Sequence, residues 1–298
     1  MNKIRILIPI YNDWQSVFKL LENINSEILT IDGEFSVIIV NDASTENRPN
    51  VSTNLDNLKS IKVLNMRENK GHARCNAAGL KHISEKEEFD YVIPMDGDGE
   101  DRPEELGSLV NKIKDYPQLV VTANRIKRSE GFIFKLCYLA HKYLTLVFTG
   151  QNIKFGNYTC LPKLIVNEII KEPATWSSFS GSLAKVTKDR KSIPSIRDKR
   201  YFGVSKMSFI NLLKHSLSII AVFKKTLLIR SIFFLIAYLF LTIEKISVIT
   251  LIPVVGVAIM MLSVIILSNR ENMSEFNNSL ENIKSIEKIK WIKVIKIN

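Results

Sequence analysis

The segment that decides the fold is Asp90-Tyr-Val-Ile-Pro-Met-Asp-Gly-Asp-Gly-Glu-Asp-Arg-Pro-Glu-Glu-Leu106. Its apolar first half, Tyr91–Met95, predicts a short buried strand, and a helix is expected near Pro103 because proline fits a first helical turn. Between them lie the carboxylates of Asp96 and Asp98, separated by a glycine that lets other groups approach closely. In an α/β sheet, the carboxyl end of a strand is the edge at which ligands bind.

Two interpretations of this acidic turn stay open at this point. Carboxylates in this position are hard oxygen ligands for Mg²⁺ or Mn²⁺, and such an ion can bind the phosphates of a nucleotide. The alternative is an acidic strand–helix turn that is merely solvated. An EF-hand calcium loop is excluded, because its sixth and twelfth positions require glycine and glutamate, whereas Asp101 and Gly107 stand there.

Other short apolar runs predict further strands, and helical patterns separate them. The runs are Ile4–Ile10, Phe35–Val40, Ile61–Leu64 and Leu119–Thr122. Strands that alternate with helices indicate an α/β fold with a doubly wound, mainly parallel sheet. Polar pairs follow the predicted strands at one common edge, namely Asn12/Asp13, Asp42/Ser44, Asn69/Gly71, Asp96/Asp98 and Asn124/Arg125.

This convergence favours a nucleotide site over a solvated turn. The first strand is not followed by Gly-x-Gly-x-x-Gly, and the sequence contains no P-loop motif, so the two usual glycine-rich phosphate sites are excluded. We therefore expect a metal ion on Asp96 and Asp98 to hold the pyrophosphate.

Four motifs resemble, in order, those of the family-2 glycosyltransferases with the GT-A fold. They are Ile8-Pro9-Ile10-Tyr11-Asn12, Val40-Asn41-Asp42-Ala43-Ser44, Asn69-Lys70-Gly71 and Met95-Asp96-Gly97-Asp98. The resemblance covers residues 4 to about 125. It implies that Asp42 contacts the base or ribose, that Asp13 lies beside the nucleobase, and that the Asp-x-Asp pair carries a divalent metal. The implied nucleotide-sugar site comprises Pro9, Tyr11, Asn12, Asp13, Asp42, Ser44, Asn69, Gly71, Asp96 and Gly97.

The carboxyl-terminal third contains two long apolar runs, residues 227–243 and 246–267. They hold 17 and 22 residues, near the roughly 20 that cross a bilayer. The break at Glu244-Lys245 leaves room only for a tight turn, which predicts a transmembrane helical hairpin rather than a buried core hairpin. Flanking basic residues, Lys224, Lys225, Arg230 and Arg270, place both termini in the cytoplasm by the positive-inside rule.

The overall charge and the start of the chain agree with a membrane-bound cytoplasmic enzyme. No signal-peptide pattern precedes the first strand, so we expect the catalytic domain on the cytoplasmic face of the plasma or inner membrane. The formal net charge is +11, but no nucleic-acid-binding motif is recognised. Anionic lipid headgroups, not nucleic acid, are the expected partner of the lysines near the membrane segment.

A second resemblance concerns the acceptor. Residues 209–225 keep apolar positions at a spacing of three to four, which predicts an interfacial amphipathic helix, and residues 131–149 predict another. The preceding Arg200-x-x-Gly-x-Ser205-Lys206, with two spans, resembles the polyisoprenyl-phosphate glycosyltransferases, which include dolichol-phosphate mannose synthase-like and undecaprenyl-phosphate sugar transferases. It implies a polyprenyl phosphate acceptor whose phosphate binds Arg200, Ser205 and Lys206. We expect Arg128 to assist, since guanidinium groups bind phosphate bidentately.

These assignments predict a mechanism. Metal on Asp98, aided by Asp96, would neutralise the departing nucleoside diphosphate, and Arg125 would add positive charge there. A phosphate acceptor is mostly ionised at pH 7 and needs little help from a base. A hydroxyl acceptor needs one, for which Glu100 or Asp101 would serve.

Several choices stay open. The compared group usually has glutamine at the position of Glu100, so addition to a lipid-linked saccharide remains an alternative, as does a non-catalytic nucleotide-sugar-binding protein. The sequence does not choose between UDP- and GDP-sugars, and a homo-oligomer is possible.

The expected domain organisation has four parts. They are a catalytic domain (1–205), a juxtamembrane helix (206–225), the hairpin (226–268) and a basic cytoplasmic tail (269–298). The tail alternates lysines with β-branched residues, which fits contact with anionic lipid or a disordered end.

Overall fold

The computed structural model describes residues 1–49, 55–127, 132–203 and 209–289. Arg128, Ser205 and Lys206, three of the residues predicted to bind the acceptor phosphate, lie outside these ranges.

Within the described residues, the centre of the molecule is an eight-stranded sheet. Its strands are β1 (Lys3–Ile10), β2 (Glu34–Asn41), β3 (Ser60–Met66), β4 (Tyr91–Pro94), β5 (Val120–Lys127), β6 (Phe155–Pro162), β7 (Arg190–Ile196) and β8 (Ile283–Lys288). Their order is β7-β5-β6-β4-β1-β2-β3-β8. Strands β3, β2, β1 and β4 are parallel, whereas β6 and β8 run antiparallel to their neighbours. The predicted α/β fold with a mainly parallel sheet is confirmed.

The described residues form ten α-helices. They are α1 (Trp14–Glu27), α2 (His72–Lys86), α3 (Leu106–Asp115), α4 (Phe132–Thr149), α5 (Lys163–Ile169), α6 (Phe179–Val186), α7 (Phe209–Ala221), α8 (Lys224–Thr242), α9 (Val248–Ser268) and α10 (Met273–Asn277). Five of these helices (α1, α2, α3, α5 and α6) cover the two faces of the sheet. Successive strand residues point to opposite faces. Ile4, Ile6 and Ile8 therefore join the core formed with α1 and α3, while Leu7 joins the core formed with α2, α5 and α6. Strands buried on both faces explain the continuous apolar runs.

Strand β8 returns the chain to the catalytic sheet after the two apolar helices. It pairs antiparallel with β3, and the Asn65 side-chain amide donates to the Glu287 carboxylate at 2.7 Å. The described part of residues 269–298 is therefore joined to the sheet. Both outer ends of the α8–α9 pair consequently lie on the side of the catalytic domain.

Helices α8 and α9 are long and apolar enough to cross a membrane, and most of their surface is exposed. They correspond to the two predicted spans. Ser247 begins α9 by accepting a hydrogen bond from the backbone N–H of Thr250. Arg230, inside α8, donates to the carbonyl of Val147 at 2.9 Å, at the carboxyl end of α4. A cation is favourable at that helix end, so this charge is compensated within the protein.

A partly buried ion pair fixes the amino-terminal edge of the sheet. The Lys62 ammonium donates to the Glu87 carboxylate, and His82 Nε2 lies 3.5 Å away. Burial alone would raise the pKa of Glu87, but the bonds to His82 and Lys62 outweigh it and lower the pKa from 4.5 to about 2.

We expect Glu87→Gln to destabilise the protein at neutral pH, by about 1–3 kcal/mol. Since the folded-state pKa is depressed, the stabilisation is present above pH 4.5 and is lost as the pH falls through about 2. Thermal unfolding of the full chain between pH 7 and pH 3 measures this. Glu88→Gln is the matched control, because that side chain is 82% exposed. Equal effects of the two substitutions would contradict the assignment.

Candidate functional site

The carboxyl ends of β1, β2 and β4 bring three loops together at one edge of the sheet. Because these strands are parallel and in register, the loops that follow them share this edge. They contain residues 11–13, 42–44 and 96–98. The predicted convergence of polar side chains is thus observed.

Asp96 is held in a network of hydrogen bonds. Its carboxylate Oδ1 lies 3.1 Å from His72 Nε2 and accepts from Asn157 Nδ2 at 3.0 Å. Its backbone N–H donates to the buried Asp101 carboxylate at 2.9 Å. Burial alone would raise the pKa of Asp96, but the bond to His72 and the charges of Arg197 and Arg125 hold it well below its usual range. Asp96 is therefore ionised and fixed in orientation.

Arg200 connects two of the three loops. Its Nη1 donates to Asp98 Oδ2 at 2.6 Å, and its Nη2 donates to Asp13 Oδ2. The sequence interpretation assigned Arg200 to the acceptor phosphate and Asp13 to the nucleobase. The structure brings both residues to the Asp-x-Asp turn. Arg200, predicted to bind the acceptor, is therefore in direct contact with Asp13, predicted to bind the donor.

Asp98 and Asp101 share a crowded acidic environment. Burial, reinforced by the carboxylates of Asp96 and Glu100, raises the pKa of Asp98 to about 6. Burial and Asp96 likewise raise the pKa of Asp101 to about 7. Carboxylates this close repel one another, and a bound cation would relieve that repulsion.

Glu100 is engaged by a second arginine. Its carboxylate forms an ion pair with Arg197, and its backbone N–H donates to Asp98 Oδ1 at 3.1 Å. Burial alone would lower the pKa of Arg197, but Asp96 and Glu100 outweigh it and raise that pKa. Arg125 lies within β5, with its guanidinium 3.8 Å from Asp101.

The segment that carries these arginines pairs with the acidic turn along the backbone. The N–H of Asp198 donates to the Glu100 carbonyl, and the N–H of Tyr201 donates to the Asp98 carbonyl, both at 3.0 Å. The Tyr201 ring lies against Gly99, where a Cβ would collide with it. Residues 197–201, here called the arginine strap, therefore form one wall of the site.

The predicted nucleotide-binding residues of the first two loops form a connected network. Both carboxylate oxygens of Asp42 accept backbone N–H groups, from Lys70 and Gly71, at 2.8 Å. The Asn12 N–H donates to Ser44 Oγ at 2.9 Å. Asp42 is buried, so it fixes the loop that begins α2. Its contact with a base or ribose stays a prediction.

The remaining predicted residues differ in accessibility. Tyr11 and Asn69 are exposed at this edge. Pro9 is buried within β1 opposite Val40, so it supports the loop from below. Gly97 packs on β1, because a Cβ there would lie 3.0 Å from the Ile10 side chain.

Four residues of the site were not predicted: His72, Asn157, Arg197 and Tyr201. Each comes from a segment distant in sequence from the Asp-x-Asp turn. For Arg197 the sequence did contain a signal, because this residue lies three positions before the predicted Arg200 in the same basic run.

The acidic turn suits a divalent cation whose remaining ligands would come from the substrate. Among the described residues, no group of three His, Cys, Asp or Glu side chains forms a metal site by itself. Mg²⁺ is commonly bound by one or two carboxylates together with substrate phosphates. Asp96 and Asp98 would supply two such ligands, and this assignment stays a prediction.

The fold and site define an α/β protein with paired aspartates at the carboxyl edge of its sheet. Residues 5–162, more than half of the chain, match the family described as Glycosyl transferase family 2. The chain therefore belongs to glycosyl transferase family 2, as the order of motifs predicted.

Individual relatives are more distant. An undecaprenyl-phosphate 4-deoxy-4-formamido-L-arabinose transferase of Klebsiella pneumoniae (strain 342) is 24% identical over 219 residues, which cover 72% of this chain and 65% of the relative. The match thus spans slightly less than two thirds of the relative's length.

Solved structures share the fold at low sequence identity. The mannosyltransferase PcManGT from Pyrobaculum calidifontis, in complex with GDP-Man and Mn²⁺, has a TM-score of 0.51 at 14% identity, covering 95% of this chain and 87% of that one. A glucosyl-3-phosphoglycerate synthase from Mycobacterium tuberculosis with Mn²⁺, UDP-Glc and phosphoglyceric acid has a TM-score of 0.51 at 14% identity, covering 76% and 80%. These likenesses support the GT-A fold.

We expect Gly99→Ala to displace the arginine strap. Gly99 has φ of +87°, which is strained for alanine, and the added Cβ would meet the Tyr201 ring. The expected cost is about 1–3 kcal/mol of stability, measured as a lower thermal midpoint. Gly107→Ala in α3 is the control, since its nearest neighbours are 3.8 Å away and alanine favours a helix. A Gly99→Ala midpoint equal to that of Gly107→Ala would count against the packing.

Proposed function

We propose that this protein transfers a sugar from a nucleotide diphosphate sugar to a membrane polyprenyl phosphate at the cytoplasmic face. The observation that carries the proposal is the arginine strap. It binds the Asp-x-Asp turn through Arg200, and α7, α8 and the apolar α9 follow it along the chain. The turn that binds the donor is thus joined to the segment that leads to the membrane.

The donor half of the proposal rests on the acidic turn. A bound Mg²⁺ or Mn²⁺ supplies Lewis-acid stabilisation of the leaving diphosphate, and Asp96 and Asp98 would hold it. His72 and Asn157 orient Asp96. Arg125 and Arg197 place positive charge beside the carboxylates, where the departing anion would develop. The loops that contain Asn12, Asp42 and Ser44 would receive the nucleoside.

The acceptor half rests on the state of Glu100. Its carboxylate is paired with Arg197, which disfavours a role as the general base that a hydroxyl acceptor needs. A phosphate monoester is already ionised at neutral pH and requires cationic groups instead. Arg128 and Lys206 would provide them, with the Ser205 hydroxyl as a further donor. Arg200, which already pairs with Asp98 and Asp13, would add its charge. The printed name of the Klebsiella pneumoniae relative, an undecaprenyl-phosphate transferase, supports this choice of acceptor.

The proposed topology rests on α8, α9 and β8. The two helices would form the membrane hairpin, with α7 lying at the interface. Strand β8 returns to the catalytic sheet, so both outer ends of the hairpin lie on one side. Lys224, Lys225 and Arg270 flank these ends, and the positive-inside rule assigns them to the cytoplasm.

We expect Asp98→Asn to reduce sugar transfer into the lipid phase by at least about 100-fold, since it removes a metal ligand at the leaving group. The assay incubates membranes with labelled UDP- or GDP-sugars and Mn²⁺ or Mg²⁺. Asp115→Asn, an exposed aspartate at the end of α3, is the matched control. Wild-type lipid product from Asp98→Asn would disprove the metal assignment.

A further inference from the structure

The amino-terminal edge of the sheet, opposite the donor site, contains an open groove of about 470 Å³. Cationic side chains from β1, β3 and β8 line it, together with two serines. We propose that this groove is a second binding site, for a small phosphate-bearing anion. It is here called the basal groove, and the residues used below are Arg5, Ser36, Lys59, Ser60, Lys62 and Lys288.

Arg5 is the central group of the basal groove. Only 7% of the residue is exposed, and its Nε and Nη1 atoms are buried without a hydrogen-bond partner among the described residues. The Glu34 carboxylate lies 3.7 Å from Nη1, beyond hydrogen-bond distance. A guanidinium group stays charged, and leaving its buried donors unsatisfied is unfavourable. An anion in the groove would satisfy them.

Strand register places hydroxyl groups beside this guanidinium. Arg5 pairs with Ser36, and Ser36 pairs with Ser60, across three parallel strands. Paired residues of adjacent strands point to the same face, and Ser60 Oγ donates to Ser36 Oγ at 3.1 Å. A guanidinium fork next to hydroxyl groups matches an oxyanion, whose oxygens accept from both.

The charge of the groove excludes a cation as its ligand. Arg5, Lys59, Lys62 and Lys288 line it, against the single carboxylate of Glu34. Lys62 is paired with Glu87, and Lys59 lies 3.8 Å from Glu34. Lys288 forms no salt bridge within the described residues. The surplus is cationic, which selects an anion.

The basal groove is separate from the donor site. Helix α2 starts at His72, which contacts Asp96, and ends at Lys86, next to the Glu87 partner of Lys62. Its 15 residues span about 22 Å. Lys288 belongs to β8, so the complete groove exists only when this strand is docked on β3. Ligand bound there would stabilise the docked strand.

The test titrates inorganic phosphate into the full-length protein in detergent and measures heat of binding. We expect saturable binding that Lys288→Met weakens at least about fivefold, since it removes a cationic donor. Ser60→Ala should weaken binding in the same direction, because it removes the hydroxyl that donates to Ser36. Both substitutions lie at the rim of the groove and leave the buried Arg5 in place, so we expect both variants to fold. Lys171→Met, which removes an exposed lysine elsewhere, should leave the affinity within about twofold.

A further titration distinguishes phosphate binding in the basal groove from phosphate binding at the donor site. Asp98→Asn should retain phosphate binding if the groove is responsible. Three results would overturn the proposal: no saturable binding, equal weakening by Lys288→Met and Lys171→Met, or loss of binding on adding UDP or GDP with Mn²⁺.

Discussion

The site depends on the pairing of partly buried carboxylates with guanidinium groups at the carboxyl edge of the sheet. Asp96 and Asp98 are two residues apart in one turn and partly buried, so their charges require compensation. Arg200 pairs with Asp98 and Asp13, and Arg197 pairs with Glu100. The arginine strap thereby joins the turn after β4 to the chain that leads to α7. The same interaction that stabilises the turn connects the acidic site to the segment that leads to the two long apolar helices.

The sheet makes this arrangement possible. Parallel pairing of β1, β2 and β4 places three loops at one edge, and each loop is then fixed by hydrogen bonds to its neighbours. Asp42 binds two backbone N–H groups at the start of α2, which positions His72 next to Asp96. Beyond the helical hairpin, β8 binds to β3, so the apolar helices are attached to the catalytic sheet at both of their ends.

Much of this architecture could be predicted from local sequence. The runs before Asn12, Asp42 and Asp96 are continuously apolar and rich in β-branched residues. Such runs predict strands that helices cover on both faces. The contributions of His72 and Arg197 could not be predicted, because they depend on tertiary contacts between distant segments. Strand β8 was missed for another reason: its sequence, Ile-Lys-Ser-Ile-Glu-Lys, does not alternate apolar and polar residues, and the lysine-rich segment fits an edge strand and a lipid contact equally well.

We propose that the arginine strap and the acidic turn together support transfer of a sugar to a lipid phosphate. The most direct measurement supplies the purified full chain with polyprenyl phosphate, Mn²⁺ and a panel of labelled nucleotide sugars, and follows label into the lipid phase. We predict one lipid product. Mild acid should release its sugar, because a sugar–phosphate linkage is labile to acid. No label in the lipid phase with any nucleotide sugar of the panel, or a lipid product whose bond to the sugar is stable to mild acid, would contradict this prediction.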